Sequence, residues 1–419
     1  MSLYSFAQEG IAYHFYPEIP QQNIINSIVD SATKFSVSGM GYTHLLSNTF
    51  SLGETSTVSG NERLIDLDLA KDKLKDINMQ EFSAELNVLH LEYYLKNLVL
   101  KAGYNQKNLA QVSYPKELYQ LMADGNAQFI GQTVSLNPTA EISSYHELYG
   151  GFSWQMGKLR VGANLKFISG IANLHTERNA IALTTSDEIY QLEFVTDYEV
   201  QTSGILDYNS YDDVLLEFNR AGFNSPFIGN YGYGIDLGLD YFISKETRLF
   251  ASVQNIGSIK WDLRGTSYKS NGTFNYNGID IIDYIGIVDE PSFRDSLEAL
   301  LQVEETDLDY NVATPVSLIA GFQHDLGNGL DFGALINARR ISDVLDNAVA
   351  VNLRKEIKPW LTLGASYTNR FGTYDNIGLS AMVEYRIFRA FISTENVLSV
   401  YDPLGKRNFS VSAGGSIRL

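Results

Sequence analysis

The sequence predicts an all-β protein, a transmembrane antiparallel β-barrel of about 14 strands with short helices in long external loops. Three observations carry that prediction. Apolar residues recur at every second position over much of the chain. The positions between them mix small residues with charges of both signs. Tight turns and long connections take turns along the sequence.

The alternation is explicit. Leu159, Val161, Ala163, Leu165 and Phe167 alternate with Arg160, Gly162, Asn164 and Lys166. Ile235, Leu237, Leu239 and Tyr241 alternate with Asp236, Gly238 and Asp240. Similar runs occupy residues 330–337, 361–368 and 409–414. A period of two belongs to a strand, whose side chains leave on opposite faces. The second face of a water-soluble sandwich favours bulky β-formers. Here it holds Gly, Ser, Asn, Thr and charges, the lining of an enclosed lumen with lipid on the other side. A charge facing lipid near the midplane costs about 2–4 kcal/mol. Lys166, Asp236, Asp240, Arg339, Arg354 and Glu384 all fall on the lumen parity of their strands.

Taken in order, residues 1–7 read as a residual signal peptide, with small Ser5 and Ala7 before Gln8 as at an export cleavage site. Residues 8–32 form an N-terminal plug or periplasmic segment, and residues 33–419 form the barrel. The first strand is expected over 33–46. Between 86 and 93 the apolar parity shifts, which predicts a one-residue bulge near Val88 and Leu89. Tight turns are expected near Lys96-Asn97, Met156-Gly157, Lys245-Glu246, Gly327-Asn328, Lys358-Pro359 and Phe388. These six hairpins, with the first strand and a last strand over 407–418, make the count of about 14. Long connections cover 47–79, 113–140, 175–230 and 262–314, with short ones near Asp343, Thr373 and Pro403. All of them fall on one end, expected to be external. Trp154, Tyr241 and Tyr385 precede tight turns, where an aromatic girdle belongs. Short helices are expected over 115–123, 212–223 and 291–303.

Composition excludes several functions. A net charge of −18 lacks the basic footprint that nucleic acid requires. The absence of Cys removes disulfides and thiol chemistry. No apolar run reaches the roughly 18–20 residues of a spanning helix. The six His residues show no H-E-x-x-H spacing, and no G-x-S-x-G elbow occurs. Asp66, Asp68 and Asp72 lack the remaining ligand spacing of a calcium loop. The chain is therefore read as a non-enzyme without cofactor or metal.

Three stretches carry a resemblance: 145–154 (YHELYGGFSW), 159–174 (LRVGANLKFISGIANL) and 249–261 (LFASVQNIGSIKW). They resemble a largely uncharacterised family of Bacteroidota outer-membrane β-barrels, itself distantly similar to FadL-type fatty-acid transporters and to barrel subunits of type IX secretion. The resemblance implies a bacterial outer-membrane location, a lumen closed by the N-terminal segment, and a hydrophobic or small solute as cargo. It implies, as the alternative, a non-transporting barrel that serves secretion or surface assembly. The partners expected are outer-membrane lipid, and a hydrophobic small molecule or secretion-machinery proteins.

Two residue sets are candidates for function. Arg160, Lys166, Asp236, Asp240, Arg339, Arg354, Glu384 and Arg386 are lumen-lining candidates, either wall-stabilising ion pairs or a polar path. Val214, Leu215, Phe218, Phe293, Leu297, Leu300 and Leu301 are hydrophobic-ligand candidates on external helices.

Overall fold

The computed structural model describes residues 11–19, 34–51, 53–59, 62–187, 191–210, 213–216, 227, 229–276, 303–341, 344–370, 373–402 and 405–419. Fourteen strands form the wall. They are β1 (Phe35–Asn48), β2 (Ile77–Leu95), β3 (Leu98–Pro115), β4 (Thr139–Met156), β5 (Leu159–Thr185), β6 (Tyr231–Phe242) and β7 (Thr247–Trp261). They continue as β8 (Val316–Asp325), β9 (Leu330–Ile341), β10 (Val344–Lys358), β11 (Leu361–Arg370), β12 (Thr373–Tyr385), β13 (Phe388–Thr394) and β14 (Asn408–Arg418). Each pairs antiparallel with its sequence neighbour. The cylinder closes where β1 meets β14, from Ser36 opposite Arg418 to Ser47 opposite Asn408. Closure leaves no unpaired wall edge, as a sheet surrounded by hydrocarbon requires.

The exposure pattern shows what surrounds this wall. On β6, Leu237, Leu239 and Tyr241 are 46%, 42% and 43% exposed, whereas Asp236 and Asp240 are 3% and 0% exposed. A water-soluble sheet does the reverse. Apolar residues outside and charges inside fit a barrel whose girth meets lipid.

The six tight turns lie at one end. Gly157 (φ 62°) and the run Gly327, Asn328 and Gly329 (φ 88°, 55° and 70°) supply the left-handed backbone that such turns need. The bulge also stands where the parity shift places it. The β2–β3 register breaks between Asn87 and Leu89, so Val88 and Leu89 both face outward, 40% and 39% exposed. Below the bulge the inward positions become His90 and Glu92.

The opposite end is built higher. The far half of β5 leaves the wall and pairs with strand Leu192–Gly204 and with Thr133–Ser135. Leu192–Gly204 pairs in turn with Thr266–Tyr276, which pairs with Glu304–Asp307. This outer sheet has its own core of Phe129, Val134, Leu136 and Leu183. The helix expected over 115–123 forms as Lys116–Asp124 behind Pro115. The helix expected over 212–223 does not begin as one. Asp213–Leu216 is a strand paired with Leu206–Ser210. A short apolar run suits either state, and the preceding segment offers it an antiparallel partner. The rest of that stretch, and 291–302 of the third expected helix, lie outside the described residues.

Candidate functional site: the barrel interior

The interior divides into two halves. Along β2 to β7 it is filled by interlocked charged side chains. Lys166 Nζ lies 2.8 Å from Asp236 Oδ1 and 3.2 Å from Glu147 Oε2. Lys107 stands 3.7 Å from Glu147 and 3.6 Å from Glu85. Asp240 sits between Arg160 at 3.7 Å and Arg248 at 3.6 Å. Glu92 receives His90 at 3.3 Å and Lys101 at 4.0 Å. A buried ion is tolerated best when paired and hydrogen-bonded. Asp236 has both, whereas Asp240 is charge-paired with Arg160 and Arg248 at distances beyond a hydrogen bond. A register shift on β6 and β7 helps. It brings Asn255 (φ 58°) inward, where its N–H donates to Asp236 at 2.8 Å and its Oδ1 accepts from Lys166 at 2.6 Å. A cavity of about 40 Å³ remains between Glu85 and Lys107 on one wall and Asn255, Pro315 and Arg339 on the other. It is large enough for a few waters.

The other half, along β7 to β13, receives the chain's own N-terminal segment. Residues Ile11–Phe15 form a 3₁₀ turn. Ile11, Phe15, Tyr16 and Ile19 are at most 2% exposed and pack on Phe250, Ile319, Leu335, Ala348, Ala350, Met382 and Phe391. Small wall residues make the room. A Cβ on Gly333 would lie 2.6 Å from the Phe15 ring, and one on Gly364 would lie 2.2 Å from Tyr16 Oη. Polar contacts fix the segment's position. Arg248 and Gln323 donate to the carbonyls of His14 and Phe15 at 3.3 and 3.2 Å. Arg354 binds Glu18 at 2.6 Å and Asp331 at 2.7 Å, with its guanidinium over the Tyr16 ring. Arg389 donates to the Glu18 carbonyl, and the Ile11 N–H donates to Glu395.

Toward the outer end, Tyr145, Ile168, Ile259, Trp261 and Tyr310 form a buried apolar cluster. Gly170 lies beneath it, where a Cβ would meet the Trp261 ring at 2.3 Å. Above the wall, His175 stands 2.8 Å from Glu141 and 3.3 Å from Glu177. Burial alone would lower its pKa, but the two carboxylates outweigh burial and raise it.

Arg160, Lys166, Asp236, Asp240, Arg339, Arg354 and Glu384 therefore lie on the interior side, each ion-paired. Arg386 does not. It is exposed in the β12–β13 turn (φ 55°), with its guanidinium 5.3 Å from the Tyr385 ring. The turn falls one pair of residues earlier than expected, so Arg389 takes the interior position and pairs with Glu384. Val214 and Leu215 are on a strand and not on a helix. Phe218, Phe293, Leu297, Leu300 and Leu301 lie outside the described residues. The alternation did not single out Glu81, Glu92, Lys101, Lys107, Glu147, Arg248 or Glu395, although each obeys inward parity. The bulges at Val88 and Asn255 change phase and obscure the pattern. Among the described residues, no three His, Asp or Glu side chains are grouped to hold a metal ion.

A closed 14-stranded wall, an apolar girth and a charged interior define a β-barrel of the bacterial outer membrane. The chain belongs to a family of unknown function (DUF5723), whose model matches residues 20–395. No curated protein matches it. Among solved structures it is similar to a deletion mutant (ΔS2S3) of the monoaromatic hydrocarbon channel TodX. Identity there is 12%, coverage is 100% of this chain and 96% of that one, and the TM-score is 0.45. The Ralstonia pickettii toluene transporter TbuX shares 10% identity over 93% of this chain and 90% of its own, with a TM-score of 0.43. A Pseudomonas aeruginosa FadL homologue shares 8% over 92% and 89%, with a TM-score of 0.38.

Proposed function

We propose that the protein is an outer-membrane channel for hydrophobic or small solutes, with residues 8–32 as the plug that closes its lumen. The observation that carries this reading is the seating of residues 11–19 inside the wall. Several wall side chains reach the segment's backbone, and glycines at 333 and 364 leave it space. A wall of 14 strands is wide enough to leak unless filled. The segment is bound by its own apolar faces and a few polar contacts, so it is separable from the barrel without breaking a strand ladder. Hydrophobic cargo suits the aromatic and aliphatic cluster at the outer end of the interior. We extend the same role to Val214, Leu215, Phe218, Phe293, Leu297, Leu300 and Leu301 as a capture surface on the external connections. The charged side chains of β2 to β7 then serve as the rigid half of the lumen.

Reconstitution tests this directly. The full chain and a Δ8–32 variant are placed in vesicles, and ion conductance is measured beside uptake of a neutral aromatic probe. The full chain is expected to pass the probe while conducting little. The deletion is expected to raise conductance by on the order of tenfold or more, as an unfilled barrel of this size does. A deletion variant that is folded yet as tight as the full chain rejects the plug, and probe exclusion by both rejects the channel.

A further inference from the structure

The chain carries a net charge of −18, yet its tight-turn end is cationic. A basic side chain stands at each of the six turns. Lys96 lies in the β2–β3 turn, Lys158 in β4–β5, Lys245 in β6–β7, Lys358 beside β10–β11 and Arg386 in β12–β13. At the β8–β9 turn, Lys355 reaches across to the Asn328 carbonyl. Lys34 adds another where β1 begins, its N–H bonded to the Leu419 carbonyl. Lys158 is held by the Ile243 carbonyl at 2.9 Å. Lys34, Lys96, Lys245, Lys358 and Arg386 are exposed. Among the described residues, the exposed acidic side chains at this end are Glu246, Asp325 and Glu356, fewer than the exposed cations.

The same level of the wall carries the aromatic belt. Tyr93, Trp154, Tyr241, Trp360, Tyr385 and Phe388 are 40–60% exposed or slightly more, each within a few residues of a turn. Aromatic residues of this kind sit at headgroup depth. The cations therefore project at the plane of lipid phosphates, on stems long enough to reach them. Exposed cations that outnumber the described acidic side chains leave this rim attractive to an anionic surface.

We propose that this rim is a binding collar for the phosphate headgroups of anionic phospholipids in the leaflet around the tight turns. The collar is continuous with the apolar girth that already contacts acyl chains. One lipid molecule can thus meet the aromatic belt with its tails and a lysine with its phosphate. Basic residues near an anionic surface add binding energy cumulatively, and salt screens them.

The test uses the full chain refolded in vesicles of phosphatidylcholine and phosphatidylglycerol in equal amounts. Lipids retained on the protein are counted by native mass spectrometry. The wild type is expected to retain phosphatidylglycerol over phosphatidylcholine by on the order of tenfold. Replacing Lys34, Lys96, Lys245, Lys358 and Arg386 by Gln together brings the ratio close to one. A milder K245Q/K358Q variant guards against misfolding and falls between. Replacing Lys116 and Lys260 at the outer end by Gln leaves the ratio unchanged. Equal retention of both lipids by the wild type overturns the proposal, as does a ratio that ignores the rim substitutions. Inorganic phosphate that displaces phosphatidylglycerol at millimolar concentration assigns the site to a free anion and also overturns it. Channel activity plays no part in this readout, so a failure of transport leaves it intact.

Discussion

Lys166 joins two carboxylates of the charged half. It neutralises Asp236 and Glu147 together while only 4% of its side chain is exposed. Lys166→Met keeps the volume but leaves two buried carboxylates short of a partner, a loss of about 3–5 kcal/mol. Denaturant unfolding of the barrel refolded in vesicles measures it. Lys260 bridges Asp262 and Asp309 in water, and Lys260→Met should cost less than about 1 kcal/mol in the same assay. A second residue-scale test uses pH. Hydrogen bonds from Arg407 hold the Glu54 carboxyl down to about 2, against an ordinary 4.5. Its folded pKa is depressed, so its contribution is complete above the ordinary value and lost as pH falls from there toward 2. The stability difference between wild type and Glu54→Gln should be constant above about pH 5 and shrink across that window. A difference that grows on acidification would contradict the pairing. Much of this scale was legible early. A charge on lumen parity must be inside, whatever it pairs with. The partners were less legible, because Glu147 reaches Lys166 only through the register of the β4–β5 hairpin and Asp236 comes from β6, beyond a long connection.

Elements show where a period of two suffices and where it misleads. The wall strands follow the alternation, and the Val88 bulge was visible as a change of phase. Arg386 and Arg389 show the weakness of counting near a turn. A shift of the turn by two residues exchanges which arginine faces inward, since parity persists but position does not. The stretch around Val214 failed for another reason. A few apolar residues fit either a helix or a strand until a pairing partner is known. The N-terminal segment is the element whose removal is most informative. Gly364→Val should push Tyr16 from its seat without disturbing the outward face of β11. Single-channel recording should then show conductance well above wild type, approaching that of the Δ8–32 variant. Wild-type tightness in a folded Gly364→Val barrel would mean that the segment does not seal the lumen.

Over the whole molecule, closure governs everything else. β14 completes a ring in which each strand satisfies its neighbours, and no wall backbone is left bare to hydrocarbon. Truncation after residue 407 opens two edges at once. It should abolish folding into vesicles, seen as loss of β-sheet circular dichroism and of protease resistance. The sequence by itself determined the strand period, the inward and outward faces, the hairpin count and the end that carries the long connections. Those properties depend on neighbours along the chain and on the contrast between hydrocarbon and an enclosed interior. Only the tertiary structure decided that residues 11–19 lie against β7 to β13, that the charges of β2 to β7 interlock, and that the far half of β5 rises into an outer sheet. These are meetings between residues tens to hundreds of positions apart. Their energy comes from complementary shape and charge across the lumen, which no local pattern records.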